Sequence, residues 1–245
     1  MKKIFIANFK MNKTSQEIKE YIKSFNDIIN KPLGEVYICL PHTALHLSSL
    51  FEGKAMLGAQ NVNEEESGNF TGEISAKMLK EENVDLVLVG HSERRKNFHE
   101  TNEMINKKIK NCLKFGMKVV LCVGETKTQR NIKKTKQVLT SQIEEALCGI
   151  YENELKNIII AYEPVWAIGT GNVATVSDIY GATKIIREII SSHYSKKAGE
   201  NQKIVYGGSI NSTNSKQILK IDDICGLLVG RASLCPKEFA KIVNR

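Results

Sequence analysis

Ile158-Ile-Ile-Ala-Tyr-Glu163-Pro164-Val-Trp166-Ala-Ile-Gly169-Thr-Gly171 is an apolar run that ends in one carboxylate and then breaks into a loop. Ile158 to Ala161 is short, β-branched and unalternating, the pattern of a strand buried on both faces, as in parallel sheets. Pro164 lacks a backbone N–H and restrains the residue before it, so the ladder stops there and Glu163 faces the loop end. Val165, Trp166, Ala167 and Ile168 are too apolar for an ordinary solvated loop, while Gly169 and Gly171 supply adaptable backbone with uncovered N–H groups. That composition suits a lid. Taken alone, the same residues also read as a buried strand, a surface glutamate and a glycine turn; the rest of the chain decides between the two.

Short apolar runs recur at Ile4–Phe9, Val36–Leu40, Met56–Gln60, Leu86–Gly90, Val119–Val123, Ile158–Tyr162, Ile204–Gly207 and Leu227–Gly230. Stretches of helical period lie between them. Thr14-Ser-Gln-Glu17 is a capping box ahead of Ile18, Ile22, Phe25 and Ile29, and Ile105, Ile109 and Leu113 run toward Gly116 as a helix-ending glycine. Leu139, Ile143 and Leu147, then Ile179, Ile186 and Ile190, follow the fifth and sixth runs. Eight strand–helix alternations in 245 residues predict an α/β fold, a (β/α)₈ barrel spanning residues 1–245 as a single domain. An open doubly wound sheet is the rival, but no G-x-G-x-x-G follows the first strand. Asn61 to Ser75 has no period and carries Phe70, which predicts a long loop whose tip is covered by something else, a partner subunit being one candidate.

Composition narrows the function classes. The formal charge of +8 would favour anionic ligands, but the lysines are scattered, with Lys133, Lys134 and Lys136 read as one solvated helix face. No basic stripe interleaved with aromatics appears, which argues against nucleic acid. The six cysteines show no C-x-x-C pair and no histidine at zinc spacing, so they read as reduced structural thiols in a cytoplasmic protein. The apolar stretch at the N-terminus is too short for a signal peptide, and nothing approaches the length of a membrane span.

In a barrel the active site lies at the C-terminal ends of the strands. Asn8-Phe9-Lys10 ends the first, Gly90-His91-Ser92-Glu93 the fourth and Glu163 the sixth, so an acid, a base and a cation meet at one rim. Each residue alone reads as an ordinary surface group; their joint placement is the signal. Tyr206-Gly-Gly-Ser209 and Gly230-Arg231-Ala-Ser233 end the last two strands with glycine-rich turns whose N–H groups suit a phosphate.

Asn8-Phe-Lys-Met-Asn12, Gly58-Ala-Gln-Asn-Val62, Phe70-Thr-Gly-Glu-Ile-Ser75, Gly90-His-Ser-Glu-Arg-Arg95, Leu121-Cys-Val-Gly-Glu125, Ala161 to Gly171, Tyr206 to Ser209 and Leu228-Val-Gly-Arg-Ala-Ser-Leu234 together resemble the triosephosphate isomerase family along the full length. The resemblance implies interconversion of dihydroxyacetone phosphate and D-glyceraldehyde 3-phosphate, a step of glycolysis and gluconeogenesis. A glutamate base, a neutral histidine and a closing lid are that family's recognised features. Carried onto this chain, they imply Glu163 as base, His91 as electrophile, Lys10 holding negative charge with Asn8 beside it, and Glu93 as support. Phosphate would be gripped by N–H groups of Gly169, Ser209, Gly230 and Arg231. The resemblance also implies a homodimer through the Asn61 to Ser75 loop. Another phosphate-binding barrel enzyme remains the competing class, though it would not require lysine, histidine and glutamate together. The chain departs from the family pattern at Phe9, Asn63-Glu64, Asn97, Asn172-Val173-Ala174 and Arg231, the last standing in place of a second glycine.

Overall fold

Eight strands, β1 (Lys3–Asn8), β2 (Gly34–Leu40), β3 (Met56–Ala59), β4 (Leu86–Val89), β5 (Lys118–Val123), β6 (Ile158–Tyr162), β7 (Lys203–Tyr206) and β8 (Gly226–Val229), pair in sequence order into a closed barrel. Every pairing is parallel, including β1 with β8, where Ile4 stands opposite Gly226. The structure is a computed structural model that describes residues 2–168 and 173–244. The (β/α)₈ expectation therefore holds, and all eight apolar runs are strands.

The unalternating runs follow from burial on both faces. Ile4, Ile6, Tyr37, Cys39, Leu88 and Val120 belong to the cluster that fills the barrel, while Phe5, Ala7, Ile38, Leu40, Val87 and Val89 pack outward against the helices. Neither set leaves room for polar residues, so polarity is confined to the strand ends.

The helices are α1 (Ser15–Ile28), α2 (Ala76–Glu81), α3 (Ser92–Asn97), α4 (Asn102–Lys114), α5 (Lys127–Asn131), α6 (Thr135–Ala146), α7 (Val176–His193), α8 (Lys196–Asn201), α9 (Ser215–Ile218) and α10 (Pro236–Val243). The capping box at α1 forms as expected: Glu17 N–H donates to Thr14 Oγ1 at 3.3 Å, and Thr14 N–H donates to Glu17 Oε2 at 2.7 Å. Gly116 ends α4 at φ +71, with Gly116 N–H donating to the Leu113 carbonyl and Met117 N–H to that of Cys112. Those paired bonds satisfy carbonyls that the helix end would leave open. One expectation needs correction. Lys133, at φ 57, and Lys134 sit in the turn between α5 and α6, and only Lys136 lies inside a helix.

Asn61 to Ser75 contains no helix or strand. Its base is closed by Asn63 N–H donating to the Ile74 carbonyl at 2.8 Å, and Asn111 of α4 donates to the Glu64 carbonyl at 2.6 Å. Phe70 stays 48% exposed. Cys39, Cys112, Cys122 and Cys225 are buried thiols, and Cys148 and Cys235 are exposed ones. Among the described residues no helix is long and apolar enough to cross a membrane.

Candidate active site

Lys10, His91, Glu93 and Glu163 line one cavity of about 530 Å³ at the C-terminal rim, together with Asn8, the β7 turn and the β8 turn. The volume is in the range of small-ligand sites. The sequence-predicted site residues that are described are thus brought together; Gly169 lies outside the described residues.

Lys10 follows β1 in the left-handed region at φ 52, which for a lysine stores strain of about 1–3 kcal/mol. Two side chains hold the conformation: Asn8 Oδ1 accepts the Lys10 N–H at 3.0 Å, and Gln60 Nε2 donates to the Lys10 carbonyl at 2.9 Å. The ammonium is thereby directed to Glu93, with Nζ 2.5 Å from Oε1.

His91 caps the N-terminus of α3, its Nδ1 accepting the Glu93 N–H at 3.3 Å. That bond occupies the Nδ1 lone pair and leaves Nε2 as the proton-bearing nitrogen. Nε2 lies 3.2 Å from Glu163 Oε1. Behind α3, buried Glu100 accepts bonds from Arg94 and from Lys108, and Lys108 also donates to Asn61 at 2.9 Å. Arg95 donates to the carbonyls of Gly90 at 2.8 Å and Cys122 at 3.2 Å. These ties fix the helix that carries His91 and Glu93 against β5 and the long loop.

Glu163 extends the β6 ladder by one bond, its N–H donating to the Val123 carbonyl at 2.7 Å, and the residue is 2% exposed. The carboxylate meets His91 and, at 3.5 Å, the Ser92 N–H. Burial, the largest single influence, would raise its pKa, but the charge and hydrogen bond of His91, the Ser92 N–H and the Lys10 charge together outweigh it and hold it below the ordinary carboxylate value. For His91 burial pushes downward, yet Glu163 raises it above the ordinary histidine value. Without Glu163 at its side, what remains for His91 is burial, the nearby Lys10 charge and the Glu93 N–H, with Glu93's carboxylate the one opposing group. Gly207 is required for this packing: a Cβ there would stand 2.8 Å from Glu163 Cγ.

Toward the other end of the cavity, Gly230 leads into a 3₁₀ turn, Arg231–Leu234, which Ser233 closes by donating N–H and Oγ to the Gly230 carbonyl. The leading N–H groups of such a turn have no partner within it. The Arg231 side chain is exposed and forms no ion pair with the described residues. Ser209 Oγ donates to the Ala167 carbonyl at 2.6 Å, tying the β7 turn to the 3₁₀ turn Val165–Ala167, and Ile168 reaches the cavity.

A family model described as triosephosphate isomerase matches residues 3–245. The chain is 47% identical to the triosephosphate isomerase of Aquifex aeolicus over 246 residues, and 45% identical to those of Alkaliphilus metalliredigens and Dictyoglomus thermophilum over 245 and 246. Each comparison covers 99% of this chain and 99% of the relative. The chain belongs to the triosephosphate isomerase family.

The triosephosphate isomerase motifs contain the candidate site side chains but do not mark the residues that hold them. Gln60, inside Gly58-Ala-Gln-Asn-Val62, secures the strained Lys10 peptide, a role that the motif does not mark. Glu125 closes the Leu121 to Glu125 motif and is fully buried, accepting from Tyr162 Oη at 3.2 Å and Trp166 Nε1 at 2.8 Å. Its signal is a carboxylate two residues past a buried strand, close to the signal carried by Glu163, which follows β6 directly.

Proposed function

We propose that this chain interconverts dihydroxyacetone phosphate and D-glyceraldehyde 3-phosphate through an enediolate, the reaction of its family. The observation that carries this reading is the buried Glu163 carboxylate in contact with His91 Nε2, in a cavity that also holds the Lys10 ammonium and two glycine-rich turns. Isomerising a ketose phosphate means taking a proton from the carbon beside the carbonyl and returning it one carbon along. Glu163 is the base. Its low pKa depends on His91, so a substrate inserted between them removes the stabilising partner while burial remains, and the carboxylate becomes a stronger base. General-base catalysis of this kind contributes about 10²–10⁴ in rate, or roughly 3–5 kcal/mol.

The proton on His91 Nε2 polarises the carbonyl and passes between the two enediolate oxygens. The bond from Glu93 N–H to Nδ1 favours the neutral ring once Glu163 has turned to carbon. Lys10 stabilises the developing oxyanion, held in place by Glu93, and the Asn8 amide nitrogen stands beside it, since Oδ1 is committed to the Lys10 N–H. Phosphate sits at the opposite end on backbone N–H groups of Ser209, Gly230 and Arg231, with Gly169 contributing from the cover segment. Every step is assigned to side chains and backbone of this chain acting as one domain, with no metal or organic cofactor.

The same reading makes the protein a cytoplasmic homodimer. Phe70 at the loop tip is half exposed, and Met11, 97% exposed, and Phe98, 62% exposed, border a second hollow of about 360 Å³ that shares Lys10 and Glu93 with the catalytic cavity. A partner's loop seated there would cover apolar surface and brace Lys10 from behind. A coupled assay of triose phosphate interconversion in both directions tests the activity; a folded protein without turnover on either substrate contradicts it.

A further inference from the structure

We propose that Arg95 is a positioning residue for this reaction, stitching the ends of β4 and β5 together one residue beyond their last paired partners and so fixing the separation of His91 from Glu163. The inference rests on the isomerase reading of the site and deepens it.

The β4–β5 ladder ends at Val89 opposite Leu121. One residue further along each strand stand Gly90 and Cys122, and the Arg95 guanidinium spans them, donating from Nε to the Gly90 carbonyl at 2.8 Å and from Nη2 to the Cys122 carbonyl at 3.2 Å. A third bond, from Nη1 to Asn102 Oδ1 at 2.6 Å, ties the group to α4, and Asn102 in turn donates to Glu145 of α6 at 3.2 Å. These three acceptors are neutral, so the angles of the planar fork, rather than the attraction of an ion pair, set where the guanidinium sits. The backbone leaves space for it. Gly90 adopts φ +71, and a Cβ there would stand 3.0 Å from Arg95 Nη2 and 2.8 Å from Ile105 Cδ1.

Both tied carbonyls adjoin the reacting pair. The Gly90 carbonyl belongs to the peptide that leads into His91, and the Cys122 carbonyl to the peptide that leads into Val123, whose own carbonyl accepts the Glu163 N–H at 2.7 Å. His91 is therefore hung from one edge of the guanidinium and Glu163 from the other, and the 3.2 Å between Nε2 and Oε1 depends on how far apart the two strand ends are held. Misplacing a reacting group by about 1 Å costs on the order of 10² in rate. A lysine in this place keeps the charge, but a single ammonium cannot hold two carbonyls and an amide at fixed angles. Arg95 also borders a hollow of about 300 Å³ behind Glu163, walled by Cys122, Gly124, Gln142 and Val165, from which a free guanidinium ion can enter the place that a truncated side chain vacates.

The test uses Arg95→Ala and Arg95→Lys in the full chain. For Arg95→Ala, kcat on both triose phosphates falls at least about tenfold while KM stays within about threefold. Guanidinium chloride, kept well below unfolding concentrations, restores part of that kcat, and sodium chloride at equal ionic strength does not. Arg95→Lys loses kcat in the same way. The second readout needs no turnover: the titration of the His91 ring, followed by NMR and assigned with His91→Gln. His91 is faced by Glu163 and Glu93, which raise it, and by Lys10, which lowers it; Arg95 is faced by Glu100, Glu145 and Glu163. Loss of the Arg95 charge alone would leave the His91 midpoint in place or raise it, because a cation has gone. A ring that has drifted from Glu163 titrates lower, nearer to what burial and Lys10 dictate, and that fall is expected in both variants. Wild-type kcat in Arg95→Lys, an unchanged or raised His91 midpoint in either variant, a lower Tm with kcat unaltered, or no rescue of Arg95→Ala by guanidinium overturns the inference. If Arg95→Ala does not fold, the kcat and His91 midpoint of Arg95→Lys decide. A wild-type chain inactive on triose phosphates refutes the isomerase reading instead, and the His91 midpoint still reports whether the arginine holds the pair together.

Discussion

Substituting Gly207 by alanine adds one methyl group directly against the proposed base. The new Cβ would stand 2.8 Å from Glu163 Cγ, 3.4 Å from its Oε1 and 3.5 Å from Leu228 Cδ2. Carbon atoms rest at about 3.5–4.0 Å, so the Glu163 methylene must retreat by roughly 0.7–1.2 Å. It has little room: the residue is 2% exposed, and its carboxylate is held by His91 and the Ser92 N–H. Misplacing a reacting group by about 1 Å costs on the order of 10² in rate, and overpacking a filled site costs about 1–3 kcal/mol of stability. For a chain of this size that stability loss corresponds to a fall in Tm of roughly 2–12 °C. We expect Gly207→Ala to lower kcat about 100-fold with KM within about threefold, because the added methyl meets Glu163 and Leu228 rather than the N–H groups of Ser209, Gly230 and Arg231. Gly181→Ala is the control, since that helical glycine has no neighbour within 4 Å of an added Cβ and its replacement should stabilise by about 0.5–1 kcal/mol without changing activity. Steady-state assay and thermal melts read both. If Gly207→Ala turns over within about threefold of wild type, the position of Glu163 is not the constraint argued above.

Further outcomes follow from other parts of the site. His91 is raised by Glu163 against burial, so its contribution to stability is full below the ordinary histidine pKa of about 6.5 and lost as pH rises through the raised value. Glu163 is lowered, so its contribution is present above about pH 4.3 and lost as pH falls through the lowered value; the Tm gap between wild type and His91→Gln should peak between those limits, and a gap flat with pH would contradict the pairing. Arg231→Gly should leave KM within about twofold, because the backbone N–H carries the contact; a rise above tenfold would mean that the side chain holds phosphate with a charge-assisted bond of about 1.5–3 kcal/mol. Phe70→Asp should convert a homodimer into a monomer by light scattering and lower activity, and a fully active wild-type monomer would remove the dimer proposal.

Strand positions were legible because a parallel barrel buries both faces of every strand, which leaves runs such as Ile158–Tyr162 with no polar alternation to confuse them. Glu163, His91 and Lys10 were legible because each follows such a run. Gln60 and Glu125 were not, since they act through partners 37 to 50 residues away, as with Gln60 and Lys10 or Glu125 and Tyr162. The break at Lys133 is silent for a related reason: a lysine at φ 57 carries no mark in sequence, whereas Gly116 at φ 71 does.

The most direct measurement is kcat for Glu163→Gln on dihydroxyacetone phosphate, with the fold checked by circular dichroism. Glutamine keeps the shape of the side chain while removing its charge and its capacity to take a proton. The account predicts a loss of at least about 10²–10⁴ with KM little altered. Activity within about tenfold of wild type, worth only about 1.4 kcal/mol, would place the base on another residue.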